Sequence, residues 1–557
     1  MRYHAANRFQ TRLAASVDES QIYFDVESAS GCPEVPFKLT VGTEIVDVIG
    51  VAGNTFTVQR GAEGTTPQGH PEGALVQNRW TAGTYEDLWD DVDNLRDNVD
   101  DLRDNVEAHV AETVIKQNLT INVPTDYPTV QAALDALKYA WIPRDVTVTI
   151  QVAAGTYTHT SPIIVDHPCG SQIRIVGATP ITTTITGAGT ISGSAGNRSV
   201  PIKVADVTSI QVGQYAIIRN TSGTGDHFAH RGIWEITAVN TTTKTVTVKN
   251  THRASTFPTA TLSGGDFIVL TTILKFNSCH GFYFYGNNFG LLDNVAVVGS
   301  SSTSEYDGIC LTSYFSEDTL RGANVKLGNN VGVAKFNAGI RVYSGSLIAK
   351  NVASSSNLYE GFLAIEGGSI NASSSTASGN GGAGFHAQYS GSIYASSSTA
   401  SGNGGLGFLA QYSGSINASS STASGNGSSG FYALSSGSIS AYSSTASGNG
   451  YYGFFALSSG SIYANSSTAS GNGNSGFYAA YSGSIYAYSS TASGNGYHGF
   501  LAQHSGSINA SSSTASGNAT DYRAEKMGYI YCPGYAGTPT FSPALNTVGN
   551  YNAIITT

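Results

Sequence analysis

The chain has 557 residues, 40% of them apolar and only 11% charged, with 66 glycines, 31 tyrosines and 22 phenylalanines. An ordinary globular domain carries about 25% charged residues, so small polar residues replace charge here, while the aromatic content excludes disorder. The net charge of −10 argues against nucleic acid as a partner. No apolar run nears the roughly 18 residues of a membrane span, and five scattered cysteines without CxxC spacing predict neither a metal site nor a disulfide scaffold. No cofactor is expected, and residues 1–7 lack the apolar stretch of a secretory signal.

Residues 1–84 read as strand-rich, as in 21–26 (QIYFDV) and 54–58 (NTFTV). Pro36-Phe37, Glu44, residues 57–66 (TVQRGAEGTT), His70 and residues 81–85 (TAGTY) together resemble an N-terminal module of phage tail fibres and other tail proteins. That resemblance implies docking on a baseplate or tail. Residues 85–114 follow as a coiled coil, with Leu88, Val92, Leu95, Val99, Leu102 and Val106 spaced 4-3-4-3-4. Eleven acidic residues and two arginines lie between Glu86 and Glu112, nearly the whole net charge. Valine at a with leucine at d favours two strands, whereas the resemblance to tail fibres implies three. About 150 residues of regular repeat downstream, from 361 to 518, outweigh three heptads, and a homotrimer is expected.

Residues 119–198 should hold a capping helix and the first coils. Residues 126–134 (DYPTVQAAL) predict a short helix with Val130, Leu134 and Leu137 on one face, and strands follow at 146–152, 163–165 and 173–177. From 199 to 270 the alternation and the returning charges predict a small inserted β-module, with Asp226-His227 and His230-Arg231 as a polar cluster on an exposed loop. Metal binding by His227 and His230 would need a third ligand that the sequence does not supply.

Residues 271–518 read as one solenoid, regular from 361. There the unit GFxAxxSGSIxAxSSTASGNGxx recurs with a period of 23: Phe362, Phe385, Phe408, Phe431, Phe454, Phe477 and Phe500 in step, with Ile370 to Ile508 and Asn380 to Asn518 likewise. The Ser/Thr/Gly content excludes helices, and pairs at i and i+2 give short strands joined by tight corners. Stacking places Phe on Phe, Ile on Ile and an asparagine amide ladder along one corner. A charge in such a unit would face its own copies, and Gly367 to Asn518 contains none. Seven coils should rise about 30–35 Å. Residues 519–557, where Asp521, Arg523, Glu525 and Lys526 appear among aromatics, should form a cap or receptor-contacting tip.

The NGxxGF repeat, the YPTVQAAL helix, the VxVxIxVxxGTY strand and the IxIVGA strand resemble the capped, pectate-lyase-like parallel β-helix of phage tailspikes and tail fibres. The resemblance implies a mainly β, right-handed three-sided solenoid in a virion protein assembled in the host cytoplasm. Its function would be binding a host surface polysaccharide; the alternative is a depolymerase cleaving it as a glycoside hydrolase or lyase. A cellular adhesin is the third possibility. Hydrolysis needs paired carboxylates roughly 5–10 Å apart; the candidates are Glu305 with Asp307, Glu317 with Asp318, Asp293, and Glu360 with Glu366, against a reading of all of them as solvated loop acids. Two outward lines carry the binding expectations. Leu363, His386, Leu409, Tyr432, Phe455, Tyr478 and Leu501 follow each Phe and predict an exposed apolar stripe at a trimer interface. Asn371, Tyr394, Asn417, Ser440, Tyr463, Tyr486 and Asn509 follow each Ile, flanked by Tyr442, Asn465 and Tyr488, and suit glycan binding.

Overall fold

The computed structural model describes residues 9–253, 260–300, 305–312, 324–549 and 552–557, without the helix side chains at 84, 87 and 108–112. The chain divides into two compact units, Met1–Thr113 and Val114–Thr557.

In the first unit a six-stranded antiparallel sheet runs from Gln10–Arg12 through Leu75–Gln77, Phe37–Val41, Glu44–Ala52 and Thr55–Gln59 to Tyr23–Asp25. Phe9, Phe37 and Phe56 pack edge to face in its core, with centroids 5.8–6.4 Å apart. The residues that carry the tail-protein resemblance have a structural task. Glu44 is fully buried and accepts from Arg60 Nε and Nη2 at 2.7 and 2.8 Å, with His70 Nε2 at 2.8 Å. Arg60 also donates to the carbonyls of Asp18, Gln21 and Gln68, sewing three loops together. Gly61 sits at φ 68°, where a Cβ would lie 2.7 Å from the Thr65 carbonyl, so only glycine fits. Glu63 accepts from the Thr81 hydroxyl and from Gly83 N at 2.8 Å, holding the start of helix α1, Ala82–Thr113. All six heptad residues of α1 are exposed, Leu95, Val99 and Leu102 by more than 60%.

The second unit is a parallel β-solenoid. Among the described residues it has sheets of 13, 15 and 12 strands, termed here the phenylalanine, isoleucine and serine–threonine sheets after their repeat residues. Helix α2, Val130–Leu137, has Thr129 Oγ1 accepting from Ala132 N at 3.1 Å as its N-cap. Its Val130, Ala133, Leu134 and Leu137 are buried in the same core as the first coils, closing the solenoid's open end. In the regular coils each Phe stacks on the next at 4.7–4.9 Å. The asparagine ladder forms as expected, Nδ2 to Oδ1 at 2.9–3.0 Å from Asn357 to Asn518. A second ladder was hidden in the uniform serine run. Ser398, Ser421, Ser444 and Ser467 point inward, each taking the backbone N–H of the serine one coil before and donating to a buried alanine carbonyl.

Two boundaries differ from the sequence reading. The inserted seven-stranded sheet begins with Ile181–Ala188, not at 199, because that strand pairs antiparallel with Ala260–Leu270 and Asn197–Val204 instead of stacking in a coil. The solenoid also continues past 518. Tyr522 takes the next place in the phenylalanine stack, 5.0 Å from Phe500, and Ile530 pairs with Ile508.

Candidate functional site

The outer face of the isoleucine sheet carries the tyrosines picked from the sequence. Each inward Ile turns the following residue outward, so Asn371, Tyr394, Asn417, Ser440, Tyr463, Tyr486, Asn509 and Tyr531 stand in one column. Tyr394, Tyr442, Tyr486 and Tyr488 are exposed and Tyr463 is half-buried. Tyr463 and Tyr486 stack in parallel with centroids 5.0 Å apart, and Tyr442 lies 6.4 Å from Tyr463. The asparagines are oriented. Asn371, Asn417 and Asn509 each accept through Oδ1 from the serine two residues on, at 2.5–2.8 Å from its hydroxyl and 3.1–3.3 Å from its backbone N–H. At the distal end of the column an open groove of about 330 Å³ is lined by Tyr486, Asn509, Tyr529 and Tyr531 over Ser484 and Ser507.

A further aromatic line escaped the sequence reading. Tyr389, Tyr412, Tyr481 and His504 precede the SGS corner in left-handed backbone, φ 47–48°, and stack in pairs at 5.0 and 4.4 Å. The signal was present as a Tyr/Ser/His position ahead of each SGS, but a turn position carried no expectation of a ring.

The outer face of the phenylalanine sheet differs between its ends. In the regular repeats the expected exposed stripe is mostly covered within its own chain. Leu363, His386, Leu409, Tyr478 and Leu501 are buried, while Tyr432 and Phe455 are half-buried. The cause is strand spacing: Tyr432, Phe455 and Tyr478 stack at 4.6–4.7 Å, and Tyr452 from the preceding corner leans on the last two at 4.7 and 4.8 Å. At the other end the same wall is polar. Asp307 is buried, accepts from Ala338 N at 3.2 Å and lies 3.4 Å from Arg341 Nε. Burial pushes its pKa up, against the opposing pull of Arg341. His280 Nδ1 accepts from Asp307 N at 2.9 Å, which leaves the neutral ring's proton on Nε2, 3.3 Å from the Tyr283 hydroxyl. Burial lowers the His280 pKa, raises that of Tyr283 and pushes the Cys310 thiol up to about 12.

The acid pairs proposed from sequence do not share environments. Glu305 is exposed while Asp307 is buried; Glu366 is exposed on a turn while Glu360 is half-buried, 3.4 Å from His386 Nδ1. Asp293 caps Asn294 N and Asn330 N at 2.8 and 3.1 Å. Glu317 and Asp318 lie outside the described residues. The register instead aligns one member of each of two pairs, because Asp307, Ala338 and Glu360 occupy one column two residues before Ile309, Ile340 and Phe362.

The polar cluster of the insert is a clasp on the solenoid, not an exposed loop. Arg231 Nη1 donates to Thr399 Oγ1 at 2.9 Å, Ser401 Oγ to the Phe228 carbonyl at 3.2 Å, and Arg253 N to the Gly402 carbonyl at 2.8 Å. Burial raises Asp226 to about 6 and lowers His230 to about 4 and His252 to about 3. His227 is half-buried against Thr221.

Residues 322–468 match a protein family described as "Right handed beta helix region". No curated protein matches the chain. Among solved structures, the chain is similar to the A-module of mannuronan C-5 epimerase AlgE6 from Azotobacter vinelandii, at 13% identity over 78% of this chain and 96% of that one, TM-score 0.36. It is also similar to the catalytic domain of a GH87 alpha-1,3-glucanase in complex with nigerose, at 10% identity over 100% and 89%, TM-score 0.41. The tailspike protein gp49 from Pseudomonas phage LKA1 matches at 13% identity over 74% and 75%, TM-score 0.20. No residue role transfers at these identities.

Proposed function

We propose that the chain is a phage tail fibre that binds a host surface glycan along its solenoid, with residues 1–84 attaching it to a baseplate or tail. The observation that carries this reading is the exposed tyrosine–asparagine column on a wall that has no charged residue from Gly367 to Asn518. Rings offer apolar faces, oriented amides offer donors, and neither depends on an ionic partner. The six exposed heptad residues of α1 support association of copies, since an apolar seam of that length in water favours burial against its own kind. The half-buried Tyr432 and Phe455 extend the candidate trimer contact to the solenoid. The test has two arms. The mass of the intact assembly should equal three chains, and Leu95→Asp with Val99→Asp and Phe455→Asp together should lower it. Host polysaccharide should be retained by the wild-type fibre without new reducing ends or unsaturated uronates. Release of either product would favour the second reading, a depolymerase. That reading rests on the alignment of Asp307 and Glu360 two coils apart, about 9.6 Å along the axis, at the upper end of the separation of an inverting pair. Asp307→Asn and Glu360→Gln should then abolish product release.

A further inference from the structure

Tyr463 and Tyr486 stack with their planes 4° apart, so their faces look along the solenoid axis. Tyr463 covers one face of Tyr486. The other face looks onto the next coil, where the column holds Asn509 in place of a ring, and the column becomes aromatic again only at Tyr531. This is the one place in the column where an asparagine stands between two tyrosines. Along the neighbouring column the serines at 484 and 507 give way to Tyr529, which closes the distal end of the groove. The slot has the dimensions of one missing ring. Two strand spacings separate Tyr486 from Tyr531 by about 9.6 Å. One flat ring between two others needs roughly 7–8 Å at ordinary carbon contacts, and two rings about 11 Å. Asn509 Oδ1 is committed to Ser511, at 2.5 Å from its hydroxyl and 3.1 Å from its N–H, and its Nδ2 has no hydrogen-bond acceptor among the described residues.

We propose that this slot binds a single neutral pyranose unit of a glycan, with all ring substituents equatorial, as in a glucose or N-acetylglucosamine residue. The inference rests on the glycan-binding reading above and names its ligand class. A pyranose of that configuration presents axial C–H groups on both faces, which is what two opposed tyrosine rings can cover; an axial hydroxyl would be desolvated against a ring. Asn509 Nδ2 donates to a hydroxyl or acetamido oxygen. Among the described residues no charged side chain lines the groove, so a carboxylated sugar gains no ion pair from them.

The test fills the slot instead of emptying it. Tyrosine already occupies this column at Tyr394, Tyr463 and Tyr486, so Asn509→Tyr completes the stack and should fold with an unchanged or higher melting temperature. Binding of N,N′,N″-triacetylchitotriose and cellotriose to the full chain is followed by saturation-transfer NMR and calorimetry, with a galacto-configured trisaccharide and a galacturonate oligomer as comparators. The wild type should bind the first two and discriminate against the comparators. Asn509→Tyr and Tyr531→Ala should each weaken binding about tenfold or more, the scale of one lost aromatic contact, while Tyr139→Ala, at an exposed tyrosine just past helix α2 and outside the column, should not. Equal binding by Asn509→Tyr would overturn the slot and leave glycan binding elsewhere on the wall standing. Preference for a comparator would overturn the ligand class. If the wild type bound none of the four and also failed to retain host polysaccharide, the glycan-binding reading would fall with it.

Discussion

Glu44 and Arg60 show how little of a residue's task follows from its type. Both are charged, and Glu44 is wholly removed from solvent. Burial alone would raise the Glu44 pKa, but hydrogen bonds from Arg60 and His70 more than offset it and hold the carboxyl below its ordinary range. Glu44→Gln or Arg60→Met should destabilise the N-terminal unit by about 3–5 kcal/mol, since either leaves a buried charge without its partner. The pH dependence has a definite sign. The folded state holds this proton more weakly than the unfolded chain, whose glutamate titrates near 4.3. The stability it contributes is complete above that value and is lost as pH falls through the depressed folded pKa; thermal unfolding of residues 1–113 across the acid range measures it. In the solenoid the equivalent residue is asparagine. Asn426 Oδ1 receives both Asn403 N and Asn403 Nδ2, while its own Nδ2 reaches Asn449 and the Ala400 carbonyl. Asn426→Ala should strand several buried polar groups at about 1–3 kcal/mol each, visible as a lower melting temperature.

Elements in this chain are matched to what covers them. Thr399 and Ser401 are buried under the insert, whereas Thr468 and Ser470 at equivalent positions are half-exposed. The same TAS strand is therefore core in one coil and surface in another, which no local pattern reveals. Glycine substitutions separate the two settings. Gly402 and Gly448 share a left-handed φ of 59° and 61°, but a Cβ at Gly402 would lie 2.0 Å from His252 Cδ2, while at Gly448 it meets nothing within 4 Å. Both alanine variants carry the left-handed strain of roughly 1–2 kcal/mol. Gly402→Ala should add about 1–3 kcal/mol of overpacking and loosen the insert, read as faster proteolysis within residues 181–270. If the two variants behaved alike, the insert would not be clasped at this coil. Helix α2 was legible in advance, because Val130, Leu134 and Leu137 declare its buried face, while its Thr129 cap appears only in the structure. The strand at Ile181–Ala188 was not, since an alternating strand fits a coil or an antiparallel insert equally well.

For the whole molecule, repetition makes coils exchangeable. Deleting Phe454 to Gly476 joins Gly453 to Phe477 in register, distal to the insert, and removes one rung of about 4.8 Å. The product should remain folded and cooperative, because each coil contacts only its neighbours; circular dichroism and thermal melting check it, and aggregation would count against independent stacking. The 23-residue period, taken with its Ser/Thr/Gly content and its i, i+2 alternation, determined the solenoid, the inward Phe and Ile stacks and the asparagine ladder. Identical units one coil apart can only be superposed, and superposition decides which atoms meet. The period also set the outward tyrosine column, since alternation in a strand leaves one choice of face. Tertiary structure alone decided how deeply each outward residue is covered. Phe455 reads as an exposed stripe until Tyr432, Tyr478 and Tyr452 close around it, and Asp226 and His230 read as loop residues until the insert folds onto the serine–threonine sheet. Burial is a sum over neighbours distant in sequence, so it appears only when the chain has brought them together.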